Sequence, residues 1–103
     1  MLTLLKFSTH DCPACQSMVG IDARVAAGLG LKFIDVDLRN PDSYRHYRPI
    51  LLRQHPLKSE VALPSYLLVS DLEGDAQVHG EIVGAMPEQE FLSHIQDLIT
   101  AAI

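Results

Sequence analysis

The chain has two cysteines, three positions apart, in Cys12-Pro13-Ala14-Cys15. An apolar run (Leu2, Leu4, Leu5, Phe7) precedes them and a helical pattern follows. Thiols at i and i+3 on the first turn of a helix share one face and can close a small disulfide ring. Cys12 falls at an N-cap position with Pro13 at N1, where a fixed φ suits the helix and a missing N–H costs nothing. Helix N–H groups and the macrodipole favour a thiolate there, and the thiolate is the nucleophile of disulfide exchange. Cys15, deeper in the same turn, is placed to resolve a mixed disulfide. Asp11 opposes ionisation of its neighbour unless His10 or a basic side chain offsets its charge.

A bare C-x-x-C is also half of a zinc site, and zinc needs further ligands at paired spacings. His10, His46, His55, His79 and His94 make no H-x(3–5)-H pair, so no metal is assigned. Two inert buried thiols are a second alternative, but Pro13 fixes Cys12 at the mouth of the helix.

The elements that must position these thiols follow from periodicity. Residues 2–7 form a strand that is apolar nearly throughout, as for a strand covered on both faces, with Lys6 the exception. Ala14, Met18, Ile21, Val25 and Leu29 define the buried stripe of a helix that Gly20 can bend and Gly28 and Gly30 end. A second strand, 32–38, places Phe33, Asp35 and Asp37 on one face and Ile34, Val36 and Leu38 on the other. A β-α-β unit this short implies a parallel pair with a right-handed crossover. Asn40-Pro41-Asp42 opens a helix that Pro49 is expected to interrupt or kink. Strands at 66–69 and about 77–83 flank a hairpin loop at 71–75, and an amphipathic helix starts at Pro87. The order is βαβαββα: an α/β fold with a four-stranded mixed sheet, its last two strands antiparallel, and helices on both faces.

With 103 residues, 48% of them hydrophobic, residues 1–103 read as one domain able to bury a core without staples. No stretch has the apolar length of a membrane span. The start at Met1 carries no signal-peptide pattern, so a cytoplasmic setting is expected, where paired cysteines read as catalytic rather than structural. A net charge of −5 argues against nucleic acid as a partner. Five of the eight basic residues (Arg39, Arg45, Arg48, Arg53, Lys58) nevertheless lie in one stretch of twenty.

The chain resembles the thioredoxin superfamily over nearly its whole length. Strand–Cys12-Pro13-Ala14-Cys15–helix is similar to the family's active-site segment, and Gly20 falls where thioredoxins carry a helix-kinking proline. Residues 33–37 followed by Asn40-Pro41 resemble the next strand and turn. Ala62-Leu63-Pro64-Ser65 resembles the segment holding the family's cis-proline, and residues 82–86 the last strand and its glycine. The resemblance implies a thioredoxin-like fold and a thiol–disulfide oxidoreductase that reduces protein disulfides. In it Cys12 attacks and Cys15 resolves, and no cofactor is bound besides the redox-active Cys12–Cys15 disulfide. It also implies a cis Leu63–Pro64 bond, with Leu63, Pro64, Pro13 and Gly84 shaping a substrate groove. The expected partners are protein disulfides and an external reductant, a thioredoxin reductase or glutathione, with the chain a monomer.

The departures are informative. The N-terminal strand and helix of full thioredoxins are missing, and His10-Asp11 stands where a tryptophan flanks the cysteines. Proline occupies the first middle position of the motif, as in glutaredoxins, so a glutathione-coupled enzyme is an alternative. Lys6 occupies the place of the buried acid that serves thioredoxins as a base, so that role does not carry over. An unpaired buried lysine is costly, which suggests a Lys6–Asp35 pair beneath Cys15; snorkelling of Lys6 to solvent is the competing reading. Lys6, Asp35, His10 and Asp11 are thus candidate modulators of the thiols. The segment 42–62 is about ten residues longer than its thioredoxin counterpart. Arg45, Arg48 and Arg53 could there form an anion or partner patch, although a solvated helical face accounts for them too. That insert leaves open a binding module in which the redox state is regulatory. An iron–sulfur or metal site using Cys12 across a dimer is a further alternative.

Overall fold

The computed structural model describes the backbone of residues 2–54 and 63–102, and the side chains of all of these but 52–54. Four strands carry the fold: β1 (Leu2–Ser8), β2 (Lys32–Asp37), β3 (Ser65–Ser70) and β4 (Gln77–Val83). They lie in the spatial order β2-β1-β3-β4. β1 runs parallel to β2 and antiparallel to β3, which is antiparallel to β4. β1 is therefore an interior strand paired on both edges and covered on both faces, which is why its sequence is apolar almost without alternation.

Side-chain alternation in β1 separates two cores. Leu4 faces Met18, Val25, Ala26, Tyr66, Phe91 and Ile95 on one side. Leu5 and Phe7 face Val36, Ile50, Leu51, Leu67 and Val69 on the other. The first core lies under α1 (Pro13–Ser17), α2 (Ile21–Gly28) and α4 (Glu88–Ala102), the second under α3 (Pro41–Gln54). α4 approaches the sheet over Gly80, where any Cβ would collide with the Leu98 side chain.

Two helical expectations are corrected. The predicted bend at Gly20 is a full break: α1 ends at Ser17, Gly20 sits at φ +87°, and α2 starts afresh with Gly20 as its N-cap. That φ lies in the region L side chains disfavour, so glycine is what permits the chain to change direction there. Conversely, of the two outcomes expected at Pro49, interruption does not occur: α3 runs through it to Gln54. One backbone hydrogen bond is lost at Pro49, but burial of Ile50 and Leu51 just beyond it anchors the last turn.

Candidate active site

The end of β1 and the start of β3 lie side by side, with Phe7 opposite Ser65. This register brings the 9–12 loop and the 63–64 segment to the same end of the sheet. Cys12 has extended backbone angles (φ −97°, ψ 110°) and caps α1, with Pro13 in its first turn. Its Sγ accepts the Cys15 backbone N–H at 3.1 Å, while its own N–H donates to the Thr9 carbonyl at 3.3 Å. Gln16 Nε2 donates to the His10 carbonyl at 2.7 Å, tying the loop back to the helix. Cys12 is half-buried and Cys15 buried, and the two thiols are not bonded to each other.

Burial pushes the Cys15 thiol up to about 11, and a hydrogen bond with Cys12 and the Cys12 charge add to the rise. A backbone contact from Thr9 and the charge of Lys6 pull in the opposite direction. Cys15 is therefore protonated at neutral pH, as suits a resolving thiol that must not react first.

The partner of Lys6 is Asp22, not Asp35. Lys6 Nζ lies 2.6 Å from Asp22 Oδ2, with both side chains no more than 3% exposed. The same carboxylate oxygen accepts the Tyr66 hydroxyl at 2.9 Å, and Lys6 Nζ also reaches the Cys15 carbonyl at 3.5 Å. Asp35 does stand beside Lys6 in the β1–β2 register and on the same face. It points to the exposed edge, however, and accepts the Ser8 hydroxyl at 2.8 Å. A dry carboxylate on α2 holds the ammonium where a solvated one on the strand does not, because a buried cation requires a buried counter-ion. Snorkelling is excluded by the same geometry. Burial and the Asp22 charge push the Tyr66 phenol far up, so Tyr66 is a neutral donor here.

Asp22 and Tyr66 are absent from the predicted set, yet Asp22 carries a signal. It stands four residues after Met18 and three before Val25, on the apolar stripe of its helix. A lone acid there, facing a strand with a lone lysine, marks a buried pair. Tyr66 reads only as a strand residue until its hydroxyl is placed.

At the rim, Arg39 forms an ion pair with Asp11. A Thr9 side-chain hydrogen bond and the Arg39 charge hold the Asp11 carboxyl below its usual range. The charge of Arg39 offsets Asp11 and that of His10 adds a smaller contribution, His10 also facing Asp37 at 3.8 Å. A cleft of about 300 Å³ opens between this rim and the motif, lined by Lys6, Ser8, His10, Cys15, Asp35 and Asp37 among others. A cleft of about 340 Å³ lies at the far end of the sheet, between Lys32 and the 71–75 loop, away from both thiols.

The Leu63–Pro64 peptide bond is cis. Gly84, at φ +96°, donates its N–H to the Pro64 carbonyl at 2.9 Å, so these two groove candidates are adjacent. Pro13 is exposed in the first turn of α1. Arg45 and Arg48 are exposed on α3 and line neither cleft, while Tyr44 and Tyr47 pack toward the core beneath β2. The Arg53 side chain and residues 55–62, with His55 and Lys58, lie outside the described residues. Among the described residues, no three His, Cys, Asp or Glu side chains are placed to hold a metal ion. No described helix is long and apolar enough to cross a membrane.

No protein-family model and no curated protein sequence matches the chain. Solved structures do. A thioredoxin from Schistosoma mansoni is 18% identical and superposes with a TM-score of 0.65 over 99% of this chain and 77% of its own. A Thermus thermophilus thioredoxin is 18% identical at 0.64, over 95% of this chain and 73% of its own. A Trichomonas vaginalis thioredoxin is 20% identical at 0.64, over 93% and 78% respectively. The chain therefore has the thioredoxin-like fold, with its cysteine pair just beyond the end of its interior strand β1.

Proposed function

We propose that the protein is a thiol–disulfide oxidoreductase that reduces protein disulfides through the Cys12/Cys15 dithiol. The observation that carries this reading is the asymmetry of the pair at the mouth of α1. One sulfur is half-exposed and accepts a backbone N–H; the other is buried and held as a thiol. In the reaction, the Cys12 thiolate attacks one sulfur of a substrate disulfide and expels the other as a thiolate. The Cys15 thiolate then attacks Cys12 Sγ, releases the second substrate thiol, and leaves a Cys12–Cys15 disulfide. Two electrons pass from the dithiol to the substrate, and the two protons of the dithiol end on the released thiols. An external reductant, a reductase or glutathione, restores the dithiol, and no other cofactor is required. The reducing cytoplasm suits this direction of electron flow. On this reading the chain works as a monomer, independently of membranes and nucleic acid.

Trapping tests this directly. In the Cys15→Ser variant the mixed disulfide on Cys12 is not resolved, so protein partners accumulate on it and are released by a strong thiol reductant. Capture of glutathione alone would refute the protein-reductase reading in favour of a glutathione-coupled enzyme. Full biological activity in a Cys12→Ser/Cys15→Ser variant would refute enzymatic function and leave a binding module.

A further inference from the structure

Beneath the motif, three side chains from three different elements converge: Lys6 from β1, Asp22 from α2 and Tyr66 from β3. Asp22 Oδ2 receives both the ammonium, at 2.6 Å, and the phenol, at 2.9 Å. The ammonium donates to the Cys15 carbonyl oxygen, 3.5 Å away. A protonated ammonium has no lone pair with which to take a proton, so it cannot act as a base. A positive charge close to a thiol favours the thiolate.

We propose that Lys6 is the charge that stabilises the Cys15 thiolate during resolution of the mixed disulfide, and that Asp22 and Tyr66 are positioning residues that hold and partly neutralise it. The inference rests on the dithiol reading above. In the step concerned, Cys15 releases its proton to solvent through the cleft beside Lys6. Its thiolate forms the bond to Cys12 Sγ, the Cys12–substrate sulfur bond breaks, and the departing thiolate takes up a proton from solvent. Lys6 remains an ammonium throughout. Cys12 carries no charge in the mixed disulfide, so the other titratable groups facing Cys15 are Asp35, Asp37 and His10 across the cleft. Asp35 and Asp37 are shielded by solvent, which leaves Lys6 and Asp22 as the buried charges whose balance sets the step.

The two buried charges make opposite predictions, and a chromogenic aryl disulfide reads them. Reduced protein releases one aryl thiolate when Cys12 attacks and a second when Cys15 resolves, so the two steps are timed separately. Lys6→Met shifts the pH profile of the second step upward by about one unit. Tenfold less thiolate, offset by the greater nucleophilicity of the more basic sulfur, slows that step about threefold at neutral pH. Asp22→Asn, which keeps the shape and the acceptor for Tyr66, shifts the profile downward and speeds the second step. The first release keeps its rate in both. If Lys6→Met does not fold, the sign of the Asp22→Asn effect still decides. A slower second step in Asp22→Asn would make Asp22 a base and overturn the proposal, as would an unchanged profile in both variants. Failure of the wild-type protein to release the first aryl thiolate would instead refute the dithiol reading, whatever Lys6 does.

Discussion

Two ion pairs flank the same four-residue motif. Lys6–Asp22 lies below it, dry, with both side chains at most 3% exposed. Arg39–Asp11 lies beside it with more than half of each side chain in water. Their consequences differ because the cost of removing one partner depends on solvent. A buried charge deprived of its counter-ion has nothing to replace it, whereas an exposed one is rehydrated and screened. The buried pair is thus structural and electrostatic together, while the rim pair only trims the local field. The same contrast separates Asp22 from Asp35: both were available to Lys6, and the unsolvated carboxylate is the one that pairs.

Breaking the buried pair gives the largest expected effect. Lys6→Met lowers the free energy of unfolding by about 3–5 kcal/mol in denaturant titrations, because Asp22 is left in the dry interior without its cation. Adding Asp22→Leu and Tyr66→Phe to that variant restores most of the loss, since the three side chains then carry neither a buried charge nor an unpaired hydroxyl. A triple variant no more stable than the single one would show that the site depends on the pair's geometry rather than on charge balance. Tyr66→Phe comes next, with a loss of about 2 kcal/mol for a hydrogen bond to a charged group.

The thiol gives a pH-dependent effect of intermediate size. Cys15 is raised from 9.0 to about 11 in the folded protein. Between those values the folded state holds a proton that the unfolded state has released, so stability of the reduced protein falls as pH rises through this window. The oxidised protein, which has no such thiol, should show no matching loss in parallel melts. The smallest effect belongs to the rim. Because the Asp11 carboxyl is lowered on folding, its contribution is present above the ordinary carboxylate range and lost as pH falls through the lowered value. Arg39→Ala should change the melting temperature slightly at low ionic strength, and about 1 M salt should abolish the difference. A large, salt-insensitive change would mean that the rim pair is as desolvated as the buried one.

Most of the architecture was legible because hydrophobic periodicity and turn residues report local structure directly. The strand before the cysteines, the parallel neighbour, the hairpin and the last helix all follow from such patterns. The helices that departed from expectation did so through tertiary terms. Gly20 takes a backbone conformation that breaks rather than bends, and Pro49 is carried through by burial of Ile50 and Leu51. Within the site, the thiol pair was legible from spacing, and the need for a partner to Lys6 from its place in an apolar strand. The identity of that partner was not. Asp35 is nearest by strand register, but register fixes Cα positions; the choice of Asp22 depends on how α2 packs over the sheet after the break at Gly20. Arg39 as the counter-ion of Asp11 was likewise hidden, because it reaches across from the loop after β2.

The most direct test of the account is the redox equilibrium of the two cysteines in a series of thiol–disulfide buffers, read by the mass added on alkylation. Both thiols should disappear together in one two-electron transition, giving an intramolecular Cys12–Cys15 disulfide that the buffer reverses. Two thiols that stay independently alkylatable across the whole series, or that oxidise only between molecules, would contradict the account.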